Sequence, residues 1–186
     1  DLALDRHIDA HDREALDTVV NCNGNGQCFD TNHDTLMCPS AKITRDRIHS
    51  PKGRASMMRE WLRLLAQHGT SASQLLRTDA NAPGRTPAIV RVWNSATQSS
   101  RAEDFSHQVY DAMSGCLACK ACATLCPVRV DVPDFRAQFL ELYYRRYARP
   151  LGDYLTAALE RLLPWLALIP RLANLLMVSV IGRFFT

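Results

Sequence analysis

The chain has 186 residues, 47% of them hydrophobic and 22% charged, with a net charge of +3. That length allows one domain or somewhat more and buries roughly 70% of the unfolded surface, enough for a core without disulfide staples. The charge is too weak and scattered to argue for a nucleic-acid partner, and seven clustered cysteines point to thiolates kept reduced for metal, hence to a cytoplasmic compartment.

No Met, basic n-region or signal-type apolar segment opens the sequence, which therefore reads as a piece of a longer protein. Residues 1 to 20 are charged and mildly helical. His7 and His11 stand four apart, a spacing that can bind metal, but no third ligand of that kind is near, so a solvated helical face is the expectation. Next comes Cys22-Asn-Gly-Asn25-Gly-Gln-Cys28, and after nine further residues Cys38-Pro39. Gly24 and Gly26 predict a turn in which backbone N–H groups can approach a cofactor closely. It is not a phosphate loop, because no strand precedes it and no Lys follows in register.

Residues 41 to 69 contain the clearest predicted helix. Ser50 is its N-cap, Pro51 its first residue and Gly69 its C-terminal cap. Met57, Met58, Trp61, Leu62, Leu64 and Leu65 form the inward face, while Lys52, Arg54, Arg59 and Arg63 line the rest. The basic stretch from Arg45 to Gly53 offers donors to a negatively charged cofactor, or a solvated turn. Residues 70 to 101 are rich in Ser, Thr, Asn, Pro and Gly and predict a long irregular connection, within which Ala88 to Trp93 reads as an extended segment. Ser100 and Glu103 form a capping box for a helix whose buried face is Phe105, Val109, Ala112 and Met113.

That helix delivers the chain to Cys116-Leu-Ala-Cys119-Lys-Ala-Cys122-Ala-Thr-Leu-Cys126-Pro127. The spacing C-x2-C-x2-C-x3-C-P is the ferredoxin run in which three thiolates grip one iron-sulfur cluster and the fourth reaches another. If the fourth cysteine of each run crosses over, Cys116, Cys119, Cys122 and Cys38 hold one 4Fe-4S cluster, and Cys22, Cys28 and Cys126 are left for a second. Asn25 stands where the first run would have its second cysteine. The second cluster is then 3Fe-4S, or 4Fe-4S with water, Asn25, Asp30, His33 or Asp34 on its last iron. One thiolate fewer means less negative charge and a higher potential, so electrons would run toward it. The alternative is a structural zinc site, which ordinarily uses two separated C-x2-C pairs.

Beyond Pro127, Asp131 opens a helix with Phe135, Phe139, Leu142, Tyr143 and Tyr147 as its buried stripe, ending near Pro150. Arg145, Arg146 and Arg149 suit its C-terminal dipole. Residues 151 to 163 carry another apolar helical stripe. The segment from Trp165 onward reads as a further helix, interrupted too often to span a membrane but compatible with peripheral membrane contact.

The two cysteine-proline runs joined by helical sequence resemble the alpha-helical ferredoxin module of succinate dehydrogenase and glycolate oxidase iron-sulfur subunits and of anaerobic glycerol-3-phosphate dehydrogenase. Cys22-Asn-Gly-Asn-Gly, Met37-Cys-Pro-Ser40, Arg47-Ile-His-Ser-Pro-Lys-Gly-Arg54 and Cys116-Leu-Ala-Cys-Lys-Ala-Cys122 resemble more closely large FAD- and iron-sulfur-binding dehydrogenases of the D-2-hydroxyglutarate and D-lactate type. The resemblance covers about residues 20 to 150. It implies an all-α, alpha-helical ferredoxin-like domain over 1–150 with two iron-sulfur loops, and C-terminal amphipathic helices over 151–186 leading to a missing domain. It implies an oxidoreductase fragment that relays electrons from an FAD domain of the parent chain to a quinone or carrier protein, in the cytoplasm or at the inner face of the membrane. The fragment alone would not turn over substrate. An iron-sulfur or zinc module with a structural or regulatory role is the other reading.

Overall fold

The computed structural model describes residues 2–32, 34–77, 86–97, 104–168, 170 and 174. Among these the regular structure is entirely helical. The chain divides into two units, Asp1–Tyr147 and Ala148–Thr186.

In the first unit a 3-10 segment, Leu2–His7, leads to α1 (Ala10–Ala15) and α2 (Asp17–Val20). His7 and His11 are exposed, but their neighbours Asp5 and Asp12 are buried. Asp5 pairs with Arg59, whose Nη1 also donates to Cys22 O at 3.1 Å. Asp12 accepts from Ser71 Oγ at 2.7 Å, Ala72 N at 2.9 Å and Ser73 N at 2.7 Å. It thereby satisfies the otherwise orphaned first N–H groups of α5 (Ala72–Arg77) from across the fold.

After α3 (Pro39–Thr44) and a 3-10 turn at Arg47–His49 comes the long helix α4 (Pro51–Gln67). Ser50 Oγ accepts from Gly53 N at 3.1 Å, Pro51 opens the helix, and Gly69 adopts φ +66° just past its end, as the sequence predicts. Gly53 is there for space. A Cβ on it would lie 2.0 Å from Arg47 O and 2.7 Å from Ile48 Cα, so only glycine lets the 3-10 turn lie against the first turn of α4.

α4 packs against α2, α7 (Phe105–Ser114) and α9 (Val132–Arg146). Met58, Leu62, Val109, Met113, Phe135 and Phe139 fill the space between them. Each fully buried side chain of this size contributes about 2 kcal/mol. Trp61 meets Phe139 edge-on with ring centroids 5.2 Å apart, and Tyr110 stacks on Tyr143 at 4.5 Å. Every residue of the stripe predicted for α9 is buried.

The connection over 70–101 departs from its expected irregularity, because it contains α5 and α6 (Ala88–Ala96). The β-branched run at 88–93 is helical and not extended. Arg91 Nη1 donates to Tyr144 O at 3.3 Å and Asn94 Nδ2 to Arg146 O at 3.0 Å, so docking on the end of α9 overrides local propensity. The helix turns its polar side inward and leaves Ile89 and Trp93 outside, 84% and 67% exposed. The capping box at Ser100 and Glu103 lies outside the described residues. Asp104 is the N-cap of α7, its Oδ1 accepting from Ser106 N at 3.0 Å.

In the second unit α10 (Leu151–Leu168) continues through Pro164, which forgoes one helical hydrogen bond, where the sequence suggested an interruption. Apart from positions 170 and 174, the helix expected beyond it lies outside the described residues. No described helix is long and apolar enough to cross a membrane.

Removing the Asp12 carboxylate leaves the Ala72 and Ser73 N–H groups buried without acceptors. Asp12→Ala should cost about 3 kcal/mol, read as a lower urea midpoint at unchanged slope. Burial opposes ionisation of Asp104, but hydrogen bonds from Ser106 and Tyr147 and the Arg146 charge outweigh it and hold its carboxyl below the ordinary range. A depressed carboxylate stabilises the fold above its unfolded pKa and loses that contribution as pH falls through the folded value. Asp104→Asn should therefore be less stable at pH 7, and its deficit against wild type should shrink in urea titrations below about pH 4.

Candidate metal centre

The seven cysteines lie on four short segments around the N-terminus of α4. Cys22 follows α2, Cys38 precedes α3, Cys116 follows α7, Cys122 lies within the short helix α8 (Ala121–Leu125), and Cys126 is that helix's C-cap. Ala118 and Lys120 take left-handed conformations, φ +53° and +60°, at a cost of roughly 1 kcal/mol each. These two turns lie in the loop whose Cys116, Cys119 and Cys122 line one hollow.

Two hollows result. One is bounded by Cys38, Cys116, Cys119 and Cys122, together with Ser40, Arg54, Lys120 and Val132, and holds ≈ 310 Å³ including its open mouth. The other is bounded by Cys22, Cys28 and Cys126, with Asn25, Gln27, Lys52 and Val130, and holds ≈ 350 Å³. Cys38 thus joins three cysteines of the distant run, and Cys126 joins Cys22 and Cys28. Pro51, in the first turn of α4, borders both hollows.

Among the described residues no three His, Cys, Asp or Glu side chains converge to hold a single metal ion. The thiols spread around each hollow suit instead a polynuclear centre whose thiolates bind different irons.

The electrostatics of the site call for a cation among the sulfurs and an anion beside Arg54. Burial pushes the Cys122 thiol up to about 11, opposed by a hydrogen bond from the Val132 backbone and reinforced by Cys116, Asp131 and Cys38. Burial likewise raises Cys28, against the Lys52 backbone N–H and with Cys22 and Cys126 adding to the rise. Thiols placed so close resist ionising together, and binding iron offsets that resistance.

Arg54 is the residue that sequence reasoning placed wrongly. Expected on the outer face of α4, it is 1% exposed. Its Nε donates to Ala112 O at 2.7 Å, Nη2 to Ser40 Oγ at 2.9 Å and Nη1 toward Cys38 Sγ at 3.6 Å. Among the described residues no carboxylate pairs with it, whereas Arg59, Arg63, Arg145 and Arg146 all have carboxylate partners. A buried guanidinium without a counter-charge is costly, and a thiolate-ligated cluster supplies that charge. Gly115 leaves it room, since a Cβ there would lie 3.4 Å from Nη2. The all-sulfur donor sets and this unanswered cation fit iron-sulfur clusters in both hollows.

Of the basic stretch before α4, Lys52 is the member at the site. Its N–H donates to Cys28 Sγ at 3.2 Å, and its Nζ reaches Gly24 O at 2.8 Å. Arg45 and Arg47 are exposed. Asn25 lines the three-thiol hollow, and its Oδ1 accepts from Gln27 N at 3.2 Å. Asp30 and Asp34 do not line it. His33 lies outside the described residues.

Residues 18–130 match the family described as 4Fe-4S dicluster domain. The chain is also similar to the D-2-hydroxyglutarate dehydrogenases of Pseudomonas putida, at 51% identity over 176 residues, and of Escherichia coli, at 49% over 173. Those alignments cover 95% and 92% of this chain but 17% of each relative. A third, from Haemophilus influenzae, is 45% identical over 88% of this chain and 16% of its own length. The chain therefore spans about a sixth of the length of the curated relatives it matches. No solved structure matches it. The matched span runs from before Cys22 to beyond Cys126 and takes in both hollows, and the chain belongs to the 4Fe-4S dicluster domain family.

Proposed function

We propose that this chain is the electron-relay module of a longer dehydrogenase acting on a small D-2-hydroxy acid such as D-2-hydroxyglutarate. Cys38, Cys116, Cys119 and Cys122 hold one 4Fe-4S cluster, and Cys22, Cys28 and Cys126 hold a second, of 3Fe-4S or 4Fe-4S type. The observation that carries this reading is the interleaving of the two cysteine runs, with the fourth thiol of each lying in the hollow of the other, as two-cluster ferredoxins require. The names of the relatives support the substrate class. An FAD-bearing part of the parent is the donor, and a quinone or carrier protein at the cytoplasmic face of the membrane is the acceptor.

Iron-sulfur clusters supply one-electron steps between a two-electron donor and its acceptor. The residues of this chain set where and how easily those steps occur. Arg54 stabilises the extra negative charge of the reduced state at Cys38. The N-terminus of α4 presents its positive dipole end to both hollows, and Lys52 N–H does the same for Cys28. Other things equal, one thiolate fewer would make the hollow of Cys22, Cys28 and Cys126 the higher-potential end, and Arg54 narrows that difference from the other side.

Anaerobically purified parent protein should contain about seven or eight irons per chain with matching acid-labile sulfide. Zinc without labile sulfide would overturn the reading. Cys119→Ser should abolish one cluster signal by electron paramagnetic resonance and slow acceptor reduction at least tenfold, while substrate still bleaches the flavin. Arg54→Gln should lower the midpoint potential of the cluster at Cys38 by about 60 mV or more, measured by redox titration, because it removes a charged hydrogen bond from the reduced state.

A further inference from the structure

The seven thiols are not equally sheltered. Cys22, Cys38 and Cys122 are buried, Cys28, Cys116 and Cys126 are half-buried, and Cys119 is exposed. Electron tunnelling falls off exponentially with distance, so transfer across the module's boundary is fastest where a ligand reaches the surface. The loop of Cys119, Leu117 to Lys120, is exposed throughout and carries apolar side chains beside the thiol. Leu117 is 71% exposed on the same loop, and Ile43, one turn beyond Pro39 on α3, is 83% exposed. Both loops border the hollow through Cys38, Pro39 and Leu117. The left-handed turns at Ala118 and Lys120 present this loop to solvent, and Lys120 adds an exposed charge, 3.5 Å from Asp131. An apolar patch at a redox edge with charge beside it is the composition of a small electron-transfer interface.

Another exposed apolar face in the same unit, on α6, serves this purpose less well. It docks at Tyr144 and Arg146 near the end of α9, whereas Val132, at the start of α9, borders the hollow. The twelve residues between Val132 and Tyr144 put it about 18 Å further along the helix.

We propose that the rim formed by Leu117, Ile43 and Lys120 is the docking surface for the electron-donating part of the parent chain, and that electrons enter the module through Cys119. The proposal rests on the relay reading above. Two observations select this occupant. Relatives carry about five sixths of their length outside the matched segment, so the same polypeptide supplies a large neighbour. The exposed ligand also belongs to the four-thiol set, where the buried charge of Arg54 beside Cys38 favours an arriving electron. Oxidation of a 2-hydroxy acid to the 2-oxo acid releases two electrons and two protons. A carrier of the flavin class in the donor part takes up both electrons and is then oxidised one electron at a time. Each crossing reduces the centre at Cys119 by one electron, and the protons pass to solvent.

Two measurements on the full-length parent test this. Ile43→Glu, a change well outside the ligand sets, should leave iron, labile sulfide and the dithionite-reduced resonance signal intact while slowing substrate-driven cluster reduction at least tenfold in stopped flow. An unchanged rate overturns the proposal, as does normal reduction with slowed re-oxidation by acceptor, which would make the rim an exit. A photo-crosslinking amino acid at Leu117 should yield a conjugate with a peptide of the same polypeptide outside these 186 residues. A conjugate within them, with a second copy or with lipid, or none at all, overturns it and decides the matter if Ile43→Glu disturbs cluster assembly. Wild-type protein lacking iron and labile sulfide would sink the relay reading itself, a failure distinct from iron-replete protein without the conjugate.

Discussion

The structure depends on one constraint, the gathering of seven sulfurs into two sets beside a single helix end. Neutral thiols crowd there without penalty, but the thiolates that bind metal repel one another and resist burial. The protein answers with fixed positive ends. Pro51, in the first turn of α4, stands at the border of both hollows, the Lys52 N–H points at Cys28, and Arg54 brings a full charge to within 3.6 Å of Cys38. The helix in turn needs its approach from the 3-10 turn, and Gly53 makes that approach possible. A substitution at Gly53 would thus move the positive end on which both hollows rely.

The two hollows are alike in plan and unequal in detail. The four-thiol hollow has a buried guanidinium at one side and an exposed ligand, Cys119, at the other. The three-thiol hollow has main-chain and amide groups instead: Lys52 N–H, Asn25 and the left-handed Gly24 and Gly26. One thiolate fewer lowers the negative charge of this set, and the Arg54 guanidinium offsets a charge in the other, so each hollow would accommodate an added electron by a different means.

Much of this was legible in the sequence because cysteine spacing, caps and helical periodicity are local signals. Ser50, Pro51 and Gly69 announced α4, and the aromatic stripe announced α9. Three buried charges, Asp5, Asp12 and Arg54, were not recognised, although the last two lay in register with an apolar stripe. Arg54 precedes Met58 and Leu62 by four and eight residues, and Asp12 precedes Leu16 and Val19 by four and seven, so each continues a buried face. Charge class outweighed position in reading them, and their partners, Cys38, Ser40 and the start of α5, are distant in sequence. At α6 the spacing of Ile89, Val92 and Trp93 was already helical, but β-branched composition and a flanking Pro suggested an extended segment.

The apolar packing of α4, α7 and α9 bears on how the centres assemble. Cys22 and Cys122 belong to the same continuous core as Phe135, Phe139, Met58 and Leu62, whereas Cys38 sits with Met37 and Ala41 in a separate small cluster. The main core is made of side chains that need no metal, so the loops bearing Cys22 and Cys122 are held by packing. Cys38 reaches the four-thiol set chiefly through polar links, with Arg54 and Ser40 bridging it to the body. A cluster held by Cys38 and the 116–122 loop would therefore cross-link the two packed regions, and its binding energy would become folding energy for the segment around α3. The same reasoning makes Arg54 a folding residue as well as an electrostatic one, because it holds that segment in place before any iron arrives.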